Sequence, residues 1–136
     1  TLPENAYGRG LSRNDAVLVQ NTIAEFGALG APGGLGLLLA APTIATHGAV
    51  SEEVARAMAE GLRERSGVEI VVATTGIAGP EGGTPDKPVG LVHSAVAAPD
   101  DTRVYRSTYP GAREVVIRRS VMTELNRLRL VLLGER

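Results

Sequence analysis

The segment "VEIVVATTGIAGPEGGTPDKPVGLVHSAVAAPDDTRVYRSTY", residues 68–109, decides the fold because it holds three predicted strands. Val68–Thr75 is β-branched and continuously apolar at its centre, which predicts a strand covered on both faces. Val89–Ala97 predicts a second strand, and Thr102–Tyr109 alternates as a third strand with at least one face in water. The sequence "APDD" predicts the turn between the last two.

A helix is predicted on each side of these strands. Ser51 suits the N-cap of the first, and Gly67 suits its end. Its apolar residues recur with helical spacing at Val54, Ala57, Met58, Gly61 and Leu62. An earlier helix, capped by Asn14 or Asp15 and running through Phe26, is a weaker prediction.

The last predicted helix begins at Ala112, after Pro110 and Gly111 break the third strand. Its apolar side is predicted to hold Ile117, Val121, Leu125, Leu128 and Leu132. A solvated face is expected to carry Arg118, Arg119, Arg127 and Arg129. The order helix, three strands, helix indicates an α/β or α+β layer fold.

The composition sets the class of protein. A chain of 136 residues is expected to form one domain, residues 1–136. With no cysteine and two histidines, it offers no thiol nucleophile and little for a metal centre, and a net charge of −1 argues against nucleic-acid binding. The uncharged stretch 26–50 is interrupted by Gly and Pro, which favours a buried helix or strand over a membrane span. We therefore expect a cytoplasmic protein with no membrane partner.

Residues 74–90, "TTGIAGPEGGTPDKPVG", hold five glycines and three prolines, far more backbone than a strand reversal needs. The segment lacks the phosphate-loop pattern and is followed by a predicted strand rather than a helix. Composition leaves two interpretations: a loop that lines a ligand site, or an ordered loop with a purely structural role. Lys87, the only lysine, is an anion contact or a solvated charge at a loop tip, and Glu81 and Asp86 are expected to form surface ion pairs.

The histidines predict structural rather than catalytic roles. His93 lies between apolar neighbours on a predicted strand, where a histidine with satisfied hydrogen bonds is expected. His47 precedes a helix and is expected to cap it or face solvent. Ser94 and His93 are adjacent on a strand and point to opposite faces, so no Ser-His-Asp set is predicted.

Three segments carry a family resemblance: "THGAVSEEVARAMAEGLRER", "ATTGIAGPEGGTPDKPVGLVHSAVA" and "YPGAREVVIRRSVMTEL". Over roughly residues 46–133 the chain resembles the CinA C-terminal domain family, the nicotinamide-nucleotide amidohydrolases, and the motif T-G-I-A-G-P-x-G-G-T-P-x-K-P-V-G is complete. The resemblance implies a three-layer α/β/α sandwich and homo-oligomers. It also implies hydrolysis of nicotinamide mononucleotide to nicotinic acid mononucleotide and ammonia, without a metal or other cofactor.

The resemblance places substrate-binding residues in the loop: Thr75, Gly76, Gly79, Gly82, Gly83, Thr84 and Lys87. In the family mechanism a serine attacks the carboxamide carbon, a lysine-type base takes the serine proton, and backbone amides hold the oxyanion.

The family's nucleophile motif, A-E-S-x-T-G-G, has its nearest counterpart in Ala31–Ala41, where Pro32 replaces the Ser-x-Thr. The family's Y-S-N-x-x-K strand has no counterpart, so the catalytic residues stay unassigned. Two interpretations remain. The chain is a degenerate member, a non-catalytic nucleotide-binding or oligomerisation module, or its catalytic residues belong to a longer protein and lie outside these 136 residues.

Overall fold

The computed structural model describes residues 35–134, and the side chains from residue 40 onward. These residues belong almost entirely to one compact unit, Leu39–Arg136. The helix predicted to end at Phe26 lies outside the described residues. The elements are α1 (Leu35–His47), α2 (Glu52–Ser66), β1 (Val71–Gly76), β2 (Leu91–Ala97), β3 (Thr102–Thr108) and α3 (Arg113–Leu132).

The three strands form an antiparallel sheet in the order β1-β2-β3. All seven residues of β2 are buried, whereas β1 is half-exposed from Val72 onward. The prediction of a strand covered on both faces is therefore wrong for residues 68–75 and fits β2 instead. The physical reason is position: both α2 and α3 pack on the middle strand β2, whereas β1 is packed mainly by α2.

Helix α2 forms as its caps predict and packs on one face of the sheet. The Ser51 hydroxyl accepts a hydrogen bond from the Val54 amide at 3.3 Å, and Gly67 ends the helix with φ +69°. The buried cluster beneath it consists of Ala55, Ala59, Val71, Ala95 and Ala97. The predicted apolar side of α2 is thus partly wrong. Ala55 and Ala59 face the sheet, whereas Ala57 and Met58 are only half-buried.

Helix α3 packs on the opposite face, which completes a helix–sheet–helix arrangement. Side chains of alternate β2 residues point to opposite faces. Ala95 and Ala97 lie in the α2 cluster, whereas Ser94 accepts a hydrogen bond from Arg127 of α3 at 2.8 Å. The fold is therefore the α/β class that the sequence predicts.

The orientation of α3 about its own axis differs from the prediction. Its buried residues are Val116 and Glu124, while Ile117, Val121 and Leu125 are 45%, 52% and 56% exposed. Arg127, expected in solvent, instead reaches the sheet.

The guanidinium of Arg127 fixes this orientation. It donates to the hydroxyls of Ser94 and Ser107 at 2.8 and 2.9 Å and pairs with Glu124. It also lies 4.1 Å from the ring centroid of Tyr105. Because Ser94, Ser107 and Tyr105 lie on the sheet, the helix turns Arg127 inward, and Ile117, Val121 and Leu125 face outward.

The apolar run Leu35–Ala41, predicted to be a buried helix or strand, falls in α1. Ala40 is fully buried, while Ala41 and Pro42 are exposed. Among residues 35–134, no helix has the length and apolar character that crossing a membrane requires.

Candidate functional site

The segment between β1 and β2, residues 77–90, is named here the glycine–proline loop. Its two ends are joined by backbone hydrogen bonds, from the Ile77 amide to the Leu91 carbonyl at 2.9 Å and from the Gly90 amide to the Ile77 carbonyl at 2.6 Å. At its tip the Thr84 amide donates to the Lys87 carbonyl at 2.8 Å, and the Lys87 amide donates to the Thr84 hydroxyl at 3.1 Å. The loop is therefore an ordered structure rather than a slack connection.

Glycines inside the loop make room for one valine. A Cβ on Gly79, whose φ is +82°, would lie 2.5 Å from Cγ1 of Val89. A Cβ on Gly83 would lie 2.9 Å from the same side chain. Real Cβ atoms do not approach so closely, so these two glycines are needed for packing within the loop. At Gly82, by contrast, the only described atom near a Cβ would be Cγ2 of Ile77, at 3.7 Å, so no other described residue crowds the backbone there.

The loop and the end of β1 before it are anchored to the segment around the end of α1. The Lys87 ammonium donates to the His47 carbonyl at 3.1 Å, and the Thr75 hydroxyl donates to the Ala49 carbonyl at 2.6 Å. His47 is the last residue of α1, where the helix dipole favours a cation. Lys87 at the loop tip is half-buried, and its ammonium contacts another segment of the chain.

Two histidine–carboxylate pairs lie near this anchor. Nδ1 of His47 is 3.6 Å from Glu53, in agreement with the expected exposed position at a helix boundary. His93 is only 6% exposed, and its Nδ1 lies 3.9 Å from Glu52 and makes no hydrogen bond within the described part of the chain. The expectation of a fully satisfied histidine is therefore wrong.

The environment of His93 favours its neutral form. Burial lowers the pKa of the imidazole below 6.5, and the positive charges of Arg106 and Lys87 lower it further. The carboxylates of Glu52 and Glu53 act in the opposite direction and do not reverse the shift. His93 is therefore a buried neutral base within the face that α2 covers.

The predicted substrate-binding residues do not all lie at one place in the structure. Thr75 and Gly76 line a cavity of about 180 Å³ between β1 and α3, together with Ser120 and Val121. Lys87 reaches α1 instead. Ligand pockets for small molecules usually measure about 300–1,000 Å³, so this cavity alone is too small for a mononucleotide.

One contact at the loop escaped the sequence reasoning. Arg113, the first residue of α3, donates a hydrogen bond to the Gly79 carbonyl at 3.1 Å. The segment "YPGAREV" contains this arginine at a helix start, but nothing in its spacing indicates a partner more than thirty residues earlier.

Comparison with known proteins identifies the relatives of this chain. The model of the CinA C-terminal domain family matches residues 36–132, ten residues further toward the N-terminus than the motifs suggest. A CinA-like protein of Anaeromyxobacter dehalogenans is 54% identical over 92 residues, which are 68% of this chain and 22% of the relative. A CinA-like protein of Gemmatimonas aurantiaca is 55% identical over 89 residues, 65% of this chain and 21% of the relative. This chain therefore spans about a fifth of the length of these relatives.

Solved structures give the same answer. The competence damage-inducible protein A of Klebsiella pneumoniae superposes with a TM-score of 0.67 at 33% identity, covering 75% of this chain and 63% of that one. The competence/damage inducible protein CihA of Agrobacterium tumefaciens gives 0.65 at 39% identity, covering 73% and 60%. The chain belongs to the CinA C-terminal domain family.

Proposed function

We propose that this chain takes part in the deamidation of nicotinamide mononucleotide, with residues 75–87 forming one wall of the substrate pocket. In this reaction water is added across the carboxamide C–N bond. The products are nicotinic acid mononucleotide and ammonia, so no oxidant, reductant or further reactant is needed.

The observation that carries the proposal is the ordered glycine–proline loop. Together with Thr75 and Gly76 of β1 it holds the full family motif, and its ends and its tip are hydrogen-bonded. Thr75 and Lys87 anchor this segment to Ala49 and His47. A loop that is already ordered loses little entropy when a ligand binds, so its interactions contribute almost fully to affinity.

The residues of this wall suit the substrate's phosphate better than its carboxamide. Apart from Ile77, no described residue crowds the backbone around Gly82, which allows amide groups to approach phosphate oxygens without a side chain between them. Lys87 supplies a positive charge from the same loop. We assign these two groups to phosphate binding, and we assign no nucleophile among residues 35–134.

The test is product formation from nicotinamide mononucleotide at high enzyme concentration, followed by ammonia release and by chromatography of the acid product. We expect turnover with the natural sequence. Lys87→Met should raise KM about tenfold because one charge contact to phosphate is lost. Asp86→Asn, one residue away on the same loop, is the matched control and should leave KM unchanged. Absence of ammonia release overturns the enzymatic proposal.

A second candidate, a mononucleotide-binding module without catalysis, is favoured by one specific observation. Pro32 stands where the family's nucleophile motif has Ser-x-Thr, and the 136 residues contain no Y-S-N-x-x-K sequence. Titration calorimetry separates the two candidates. Binding of nicotinamide mononucleotide without turnover supports the module, whereas neither binding nor turnover leaves a structural role.

A further inference from the structure

His93 occupies the middle of a row of side chains that crosses the sheet near the start of α2. In the register of the strands it lies opposite Thr75 of β1 and Arg106 of β3. Directly opposed residues of a sheet point to the same face. Ala95, two residues further along β2, belongs to the cluster that α2 covers. Thr75, His93 and Arg106 therefore share the α2 face of the sheet.

The Nδ1 atom of His93 lies close to a carboxylate without bonding to it. The atom is buried, makes no hydrogen bond within residues 40–134, and is 3.9 Å from a carboxylate oxygen of Glu52. That separation is longer than a hydrogen bond. A protonated imidazole carries N–H donors on both ring nitrogens, so a proton on His93 turns Nδ1 into a charged donor beside this carboxylate. Proton uptake therefore draws His93 and Glu52 together.

The charged and titratable groups around His93 come from four segments: Glu52 and Glu53 of α2, Arg106 of β3, Lys87 of the glycine–proline loop, and His47 at the end of α1, which pairs with Glu53. The two carboxylates favour a proton on the imidazole, whereas Arg106 and Lys87 oppose it. Burial and these two cations prevail, so the pKa of His93 lies below 6.5 and the imidazole is neutral at neutral pH. Among these groups, Lys87 is the one that belongs to the loop.

We propose that proton uptake by His93 releases the tip of the glycine–proline loop from the end of α1. The contact that is released is one hydrogen bond, from the Lys87 ammonium to the His47 carbonyl. Coupling between two sites is reciprocal. Because the Lys87 charge disfavours a proton on His93, that proton disfavours the ammonium at its present position by the same free energy. The Lys87 side chain is half-buried, so its ammonium can turn to solvent.

The loop is thus held at neutral pH and released in acid. Above pH 6.5 His93 is neutral, and the ammonium of Lys87 stays on the His47 carbonyl. As the pH falls through the pKa that His93 has in the folded state, the imidazolium attracts Glu52 and repels Lys87. The hydrogen bond from the Thr75 hydroxyl to the Ala49 carbonyl joins neutral groups and should persist. This release needs a proton and the chain's own residues, so it is independent of the proposed reaction.

Nuclear magnetic resonance on the full chain tests the proposal. Lys87 is the only lysine of the 136 residues, so isotope-labelled lysine gives the signal of one side chain. Its two ε-methylene protons should differ in chemical shift while the ammonium is held and become equal once it is released. We expect this change between about pH 8 and pH 5, with the same midpoint as the titration of the His93 imidazole. In His93→Gln the Lys87 signal should stay constant over this range.

His47→Gln is the matched variant, because it removes the other histidine of the chain and keeps the backbone carbonyl that Lys87 binds. The change in the Lys87 signal should persist in this variant. A change that persists in His93→Gln and disappears in His47→Gln overturns the proposal, because the release then follows the titration of His47.

A second measurement leaves the buried histidine in place, so it remains valid if His93→Gln fails to fold. In Lys87→Met the midpoint of the His93 titration should rise, because a repelling charge is removed. Arg106→Met should raise it as well, while the Lys87 signal still follows His93. An unchanged His93 midpoint in Lys87→Met overturns the proposal. Unfolding of the natural sequence before His93 takes up its proton overturns it too, since no folded chain then has a released loop.

Discussion

The two faces of the sheet are packed by different chemistry. On the α2 face the contacts are small and apolar, with Ala59 and Ala95 fully buried. On the α3 face Arg127 donates hydrogen bonds to Ser94 and Ser107. Burial of apolar surface has no preferred direction, whereas hydrogen bonds do. The α2 face therefore sets how closely helix and sheet approach, and the α3 face sets the rotation of a helix.

The largest expected loss in the free energy of unfolding comes from Arg127→Ala, on the α3 face. Glu124 is 5% exposed, so the variant leaves a buried carboxylate without its partner and two serine hydroxyls without a donor. Removing one member of a buried ion pair costs about 3 kcal/mol or more. Urea unfolding should show a loss of this size in the free energy of unfolding.

The matched control is Arg129→Ala, two residues away on α3, where the guanidinium is exposed and bonds only Asn126 among the described residues. A change of at most about 0.5 kcal/mol is expected there. If the two variants lose the same free energy, the directional account of the α3 face is wrong.

The next effect is on the α2 face, from Ala59→Leu. Ala59 has no exposed surface and packs on β1 and β2, so three extra carbon atoms must displace the helix or the sheet. Overpacking of this kind costs about 1–3 kcal/mol. Ala57→Leu, at a half-buried position on the same helix, should cost clearly less. Thermal unfolding of both variants decides which side of α2 faces the sheet, and a larger loss at Ala57 would support the stripe predicted from sequence.

The smallest effect concerns His93, a polar residue on the α2 face. Burial, Arg106 and Lys87 lower the pKa of its imidazole, against the opposing charges of Glu52 and Glu53. The unfolded chain therefore binds the proton more readily than the folded chain. The part of the folding stability that depends on a neutral His93 is fully present above pH 6.5. It is lost as the pH falls below 6.5 through the pKa that His93 has in the folded state.

Unfolding free energies measured between pH 8 and pH 5 by urea titration should fall less steeply for His93→Gln than for the natural sequence. An unchanged slope in His93→Gln would remove His93 as a source of acid sensitivity.

The sequence predicts where helices and strands begin and end better than it predicts which side of each one is buried. Ser51 and Gly67 mark the ends of α2 correctly because capping is a local interaction. The rotation of α3 was not predictable, because it depends on two serines of different strands that only the fold brings to Arg127. That β2 is the middle strand could likewise not be predicted from its own residues, because it depends on pairing with both β1 and β3.

The candidate site divides in the same way. The motif identifies the loop and the family, because both are recognised from one continuous segment of sequence. The contact of Lys87 with His47 spans forty residues and was not foreseen, nor was that of Arg113 with Gly79. The assignment of Thr75, Gly82 and Lys87 to substrate stays a prediction.

The anchoring of the glycine–proline loop has a consequence for building hybrids between family members. Lys87 and Thr75 bind the carbonyls of His47 and Ala49, and a Cβ at Gly48, whose φ is +76°, would lie 3.3 Å from the Lys87 ammonium. The two segments fit one another although they are distant along the chain. A chimera with its junction between residues 51 and 75 would take them from different parents. Recombination should therefore preserve them as one inherited block.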